Sequence, residues 1–171
     1  MNLKNFLACA GTAALVALAA IPPTLAQHSH QKAGSLVIEV PWTRATPGGA
    51  KVAGGFLKIT NKGGAPDRLI GGTLPLAESA EVHEMTMTDG IMKMRRLEKG
   101  LEIRPGQTIE LKPGSYHMMF TGLKQGLKAG GTIKGTLVFE KAGTINVEYK
   151  IAPIGAASPS GGPKHGSGHG H

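Results

Sequence analysis

His83-Glu84-Met85-Thr86-Met87-Thr88-Asp89-Gly90-Ile91-Met92-Lys93-Met94 is the stretch from which the fold can be read. Asp-Gly between two segments of alternating character is a strong hairpin signal. A two-residue turn there makes Thr88 face Ile91, Met87 face Met92 and Met85 face Met94. Strand side chains alternate with period two, so His83, Met85 and Met87 share one face. Met92 and Met94 join them across the hairpin, with His83 diagonal to Met94 and within reach of a long side chain. A one-residue change in loop length would slip this register and reverse every face.

The window widens to Val82–Gly122. Of seven methionines in the chain one is the initiator, and the other six, Met85, Met87, Met92, Met94, Met118 and Met119, all lie here. So do His83 and His117, the only histidines outside the terminal segments. Parity puts His117 and Met119 on one face of their strand and Met118 on the other. Core packing, at which methionine is adept, would account for one such residue. It does not account for His-x-Met and His-Met-Met gathered in one window. Two imidazoles with two or more neutral, soft thioethers suit Cu(I) better than Zn, Mg or Ca. Met118 is a core candidate, and Met85, Met87 and Met92 stand behind the ligands or form an apolar collar. Glu84 and Asp89 read as exposed hairpin charges, since carboxylates are hard ligands.

Around the window, short extended segments alternate with Gly, Pro and Asn. Leu36–Val40 reads as a strand stopped at Pro41, and Phe56–Thr60 as a strand closed by Asn61-Lys62-Gly63-Gly64. Arg68–Leu76, Thr108–Leu111, Tyr116–Phe120, Thr132–Phe139 and Thr144–Ile151 follow. Eight or nine short strands with regular turn signals and no helical period predict an antiparallel Greek-key β-sandwich or barrel. Trp42, the sole tryptophan, is expected between the sheets, and Tyr116 in the core. The predicted organisation is a leader over residues 1–26, a polar lead-in over 27–34 and the β-domain over 35–155. A flexible Gly/Ser/His-rich tail over 156–171 carries His165, His169 and His171.

Lys4, the small-residue apolar run Phe6–Ile21, the Pro22-Pro23 break and Thr24-Leu25-Ala26 read as a cleaved secretory signal, with no stable membrane insertion afterwards. The run is short and Ala-rich for a spanning helix. Cys9, the only cysteine, falls inside that leader. The mature chain then has neither disulfide nor thiolate, and its metal ligands must be His, Met or carboxylate. The net charge is +8, or +7 once Lys4 is lost with the leader. The basic residues are scattered and lack interleaved aromatics, which excludes a nucleic-acid partner. No nucleophile elbow of the Gly-x-Ser-x-Gly type occurs in the domain, and without Cys a blue-copper site cannot be built. The chain reads as a binding protein and not an enzyme.

At this point the window resembles the PCu(A)C family of periplasmic copper chaperones. That family's pattern is His, ten residues, Met, twenty-one residues, His-x-Met. Here His83 is followed by ten residues and Met94, and His117-Met118-Met119 supplies the His-x-Met. Twenty-two residues separate Met94 from His117, one more than in the family, and the turn around Glu98-Lys99-Gly100 can absorb the difference. His83-Glu84-Met85-Thr86-Met87, Gly90-Ile91-Met92-Lys93-Met94-Arg95 and Leu111-Lys112-Pro113-Gly114-Ser115-Tyr116-His117 are similar to the family as well. The resemblance implies a cupredoxin-like/immunoglobulin-like fold without the blue-copper cysteine. It implies Cu(I) held near the surface by His83, Met94, His117 and Met119. It further implies delivery to the apo CuA domain of cytochrome oxidase, alongside a thioredoxin-like copper chaperone. Some family members carry a His- or Met-rich extension that binds Cu(II), and His165, His169 and His171, with His28 and His30, are similar to it. Storage or resistance without a dedicated acceptor is the alternative that this ligand set leaves open.

Overall fold

The computed structural model describes residues 30–160, which hold eleven strands. They are β1 (His30–Ala33), β2 (Leu36–Arg44), β3 (Val52–Asn61), β4 (Asp67–Thr73), β5 (Ser79–Thr88) and β6 (Ile91–Arg96). β7 (Leu101–Ile103), β8 (Thr108–Leu111), β9 (His117–Thr121), β10 (Thr132–Phe139) and β11 (Gly143–Ala152) complete the set. The predicted leader and the three tail histidines lie outside the described residues. Within them, no helix is long and apolar enough to cross a membrane.

The strands run in the order β6-β5-β9-β3-β2-β11-β10-β4-β7, with β1 added to β2 and β8 to β3. Every pairing is antiparallel except β11 with β2. The ladder folds over on itself, so strands distant in this order meet face to face. The Phe120 ring of β9 stands edge-on to Tyr149 of β11, 5.6 Å between centroids at 83°. Met118 of β9 reaches β4: a Cβ placed on Gly72 would sit 3.4 Å from the Met118 methyl. The core between the layers is made of alternate residues, such as Ile145, Val147, Tyr149 and Ile151 on β11, as period two requires. This is the all-β sandwich expected from the turn spacing.

The sequence misled in two places. β2 does not stop at Pro41 but continues to Arg44. It does so through a register shift between Glu39 and Trp42, with Val40 at φ 49°. A bulge is where a strand tolerates proline, because the missing N–H is not needed by the ladder. Beyond the bulge, Trp42 packs on Phe56 at 4.5 Å between centroids, in a small cluster with Ala152 and Ala156 set apart from the main core. The second difference is at the margins of the domain. His30–Ala33 of the polar lead-in pairs with β2 as β1. At the other end, Ala156 is buried and its carbonyl accepts from Arg44 Nε at 2.7 Å.

Candidate metal centre

The β5–β6 hairpin has the register its sequence predicts: Thr88 opposite Ile91, Met87 opposite Met92, Met85 opposite Met94, and His83 opposite Arg96. Its turn is Asp89-Gly90, with φ of 52° and 75°. Two positive φ values in succession match the twist of the flanking strands, and Asp followed by Gly tolerates them best. On the other side of β5 lies β9, with His83 opposite His117 and Glu81 opposite Met119. One continuous face therefore carries Glu81, His83, Met85 and Met87 from β5, Met92, Met94 and Arg96 from β6, and His117 and Met119 from β9. Met118, on the opposite face, is fully buried, and Val82 beside it is almost so.

The two imidazoles are cross-strand neighbours, 5.9 Å between centroids and tilted by 46°. His117 is buried, and its Nδ1 lies 3.0 Å from the Ser115 carbonyl. A carbonyl can only accept, so Nδ1 carries the hydrogen and Nε2 keeps its lone pair. Burial, opposed by that hydrogen bond and aided by the neighbouring His83, lowers the His117 pKa below its ordinary value. The ring stays neutral under conditions that would charge an exposed histidine, as a metal ligand must. His83 Nε2 lies 3.0 Å from Glu81 Oε2, and the other Glu81 oxygen accepts from Arg96 at 2.9 Å. The carboxylate accepts a hydrogen bond from Nε2–H, and His83 Nδ1 is left as a buried atom with no hydrogen-bond partner. A buried imidazole nitrogen without a partner is costly unless something binds it. The donor set thus fits a soft cation: two oriented imidazoles with thioethers on either side.

Register separates the other two candidates. Met119 lies two residues beyond His117, across from Glu81, and is half-buried. Met94 lies towards the hairpin turn, across from Met85, and is 49% exposed. They flank the imidazole pair from opposite ends. A groove of about 560 Å3 opens beside them, and His117, Met119, Met85 and Met92 line it together with Arg44 and Phe56. His83 and Met94 are not among its walls. Among the described residues, no three of His, Cys, Asp and Glu gather as a metal cage, so a metal here needs the methionines.

Glu84 departs from its expected role. Asp89 is exposed, but the Glu84 side chain is only 17% so. It points to the other face of β5, where it pairs with Arg95 and accepts the Tyr116 hydroxyl. Burial first, and then that carboxylate, raise the Tyr116 pKa. Tyr116 itself packs against the core, as expected. Glu81 escaped the sequence reading. Its signal was its position, two residues before His83 and hence on the same strand face.

The family model described as "Putative lipoprotein LpqE-like" matches residues 36–151. The chain belongs to the LpqE-like family of PCuAC domains. "Putative lipoprotein Lxx21020" of Leifsonia xyli subsp. xyli is 32% identical over 136 residues, 80% of this chain and 81% of that one. The apo PCuAC domain from PmoF1 is 30% identical with a TM-score of 0.61, over 72% of this chain and 98% of that one. The copper-bound PCuAC domain from PmoF2 is 27% identical with a TM-score of 0.62, over 72% and 97%. The Cu(I) form of DR1885 from Deinococcus radiodurans is 30% identical with a TM-score of 0.52, over 74% and 80%. The LpqE-like chain is thus a cupredoxin-like/immunoglobulin-like β-sandwich.

Proposed function

We propose that the protein is an exported, periplasmic copper chaperone that binds Cu(I) through His83, Met94, His117 and Met119. The observation that carries this reading is the cross-strand imidazole pair, each ring held by an oxygen acceptor on one nitrogen and left with a lone pair on the other. Copper in solved relatives of the family, one copper-bound and one loaded with Cu(I), supports the choice of metal. Two imidazoles and two thioethers hold Cu(I) without a thiolate, so the site is soft, cannot close as a disulfide and can release its ion. Those are properties of a carrier and not of a catalyst. The acceptor is the apo CuA domain of cytochrome oxidase, reached alone or with a thioredoxin-like copper chaperone. His165, His169 and His171 form a second, Cu(II)-binding station in the tail.

Anaerobic Cu(I) titration of the mature chain tests the site. His83→Ala, Met94→Ala, His117→Ala and Met119→Ala each weaken the tight event, and unchanged stoichiometry and affinity in all four refute the assignment. Mixing the loaded protein with an apo CuA domain separates delivery from storage, because a storage protein keeps its copper. Truncation before Lys164 leaves Cu(I) binding intact and removes Cu(II) capacity if the tail histidines bind.

A further inference from the structure

We propose that Met85, Met87 and Met92 form a second, thioether-only site for a soft monovalent cation, Cu(I) or Ag(I), at the free end of the β5–β6 hairpin. Hydrogen bonds at the strand margins fix how close these side chains stand. Leu97 N donates to the Val82 carbonyl at 2.9 Å, so even-numbered β5 residues exchange hydrogen bonds with β6. The Met85 N–H points the other way, to the Ser115 carbonyl at 3.3 Å. Met87–Met92 and Met85–Met94 are therefore the non-hydrogen-bonded pairs of the ladder, the class in which opposed side chains stand closest. All four sulfurs lie on one face.

These residues fill no core. Met87 is 64% exposed and Met92 50%. Nothing in packing calls for thioethers at a wet hairpin end, where a strand would ordinarily carry Thr, Lys or Glu. Neutral thioethers repel no cation and bind soft ones. Lys93 and Arg95 belong to the opposite face, across from Thr86 and Glu84. Met85 and Met92 also line the groove that holds His117 and Met119, so the hairpin site opens onto His117. An ion without imidazole ligands is held more weakly there and can step inward or outward. That way-station role rests on the copper reading of His83 and His117, whereas the existence of the hairpin site does not.

Ag(I), which is not redox-active under these conditions, is titrated into the full chain carrying 13C-methyl methionine, with native mass spectrometry counting ions. The expected result is a tight event at the histidine pair and then a weaker one that shifts the Met85, Met87 and Met92 methyls. Met87→Leu with Met92→Leu, which keeps apolar bulk, abolishes the weaker event and leaves the tight one. His83→Ala with His117→Ala abolishes the tight event and leaves the hairpin shifts. The proposal is overturned if a second ion leaves the hairpin methyls unmoved, as it would when sitting on tail histidines. It is equally overturned if the double Leu variant retains that event, or if the double Ala variant loses it. Hairpin shifts without any histidine event would uphold this site and defeat the chaperone site instead.

Discussion

The two halves of β5 live in unlike surroundings. From Ser79 to His83 the strand is paired on both edges or backed by the core, with β9 beside it and Val82 buried beneath. Beyond the Met85 N–H, which still reaches the Ser115 carbonyl, only β6 accompanies it to Thr88, and every residue of β6 is exposed. One half is held by the sandwich and the other projects from it. The same side chain consequently meets opposite surroundings: Met118, under the held half, is a packing residue, while Met87, on the projecting half, is exposed and packs in no core. Burial, and not residue type, assigns the role.

The largest effect that could break this contrast is on folding. Met118→Ala removes a fully buried side chain that reaches Gly72 of β4. It should cost roughly 2–5 kcal/mol, read from urea unfolding. Met87→Ala should change stability by less than about 0.5 kcal/mol, as surface substitutions do. Equal costs would mean that the hairpin end is as much part of the core as β9. Next in size is Glu81→Gln, which keeps shape but removes the charge holding the His83 ring. Outer partners of ligating histidines are typically worth 10–100-fold in metal affinity, so Cu(I) binding should weaken by about 1.4–2.7 kcal/mol in chelator competition. The nitrogen-15 shifts of His83 should move with it, whereas a merely structural role would leave its tautomer alone.

Much of this contrast was legible in the sequence, because strand period and turn chemistry are local. Asp89-Gly90 set the register, the register set the faces, and parity alone sent Met118 inward and His117 and Met119 to the other side. The unread parts depended on distant chain. Pro41 is a strand breaker unless a bulge absorbs it, and the bulge at Val40 is made by pairing with β3. Trp42 was expected between the sheets, but joins Phe56 and Ala156 outside the main core because β2 has already shifted register. Glu84 looked like a solvent charge until Tyr116, some thirty residues on, was brought over it. Which nitrogen of each histidine is free could not be read from sequence at all, since Ser115 and Glu81 decide it through contacts made only on folding.

A smaller effect sharpens the boundary between the halves. Gly90 sits at φ 75°, where an L side chain is strained by roughly 1–2 kcal/mol. Gly90→Val should therefore loosen the projecting end, with faster hydrogen exchange at Thr86, Thr88, Ile91 and Lys93. The amides paired between β5 and β9 should keep their protection. Exchange spreading to Glu81 or Phe120 would show that the hairpin opens together with the sandwich and is not a separate unit.

The smallest effect concerns the pH response of the apo protein. Burial lowers the folded-state pKa of His117 below its ordinary value of 6.5. The unfolded chain then binds a proton more readily than the folded one, so stability rises with pH across the interval between the two values. Above the unfolded value neither state is protonated at this site and the contribution is flat. As pH falls from about 6.5 towards the folded value, protons draw the equilibrium towards the unfolded chain. Urea midpoints of the wild type should fall over that interval more steeply than those of His117→Gln, which has nothing to titrate there. Identical slopes would mean that His117 is as wet as the hairpin end, and the held half of β5 would lose its claim to a sheltered imidazole.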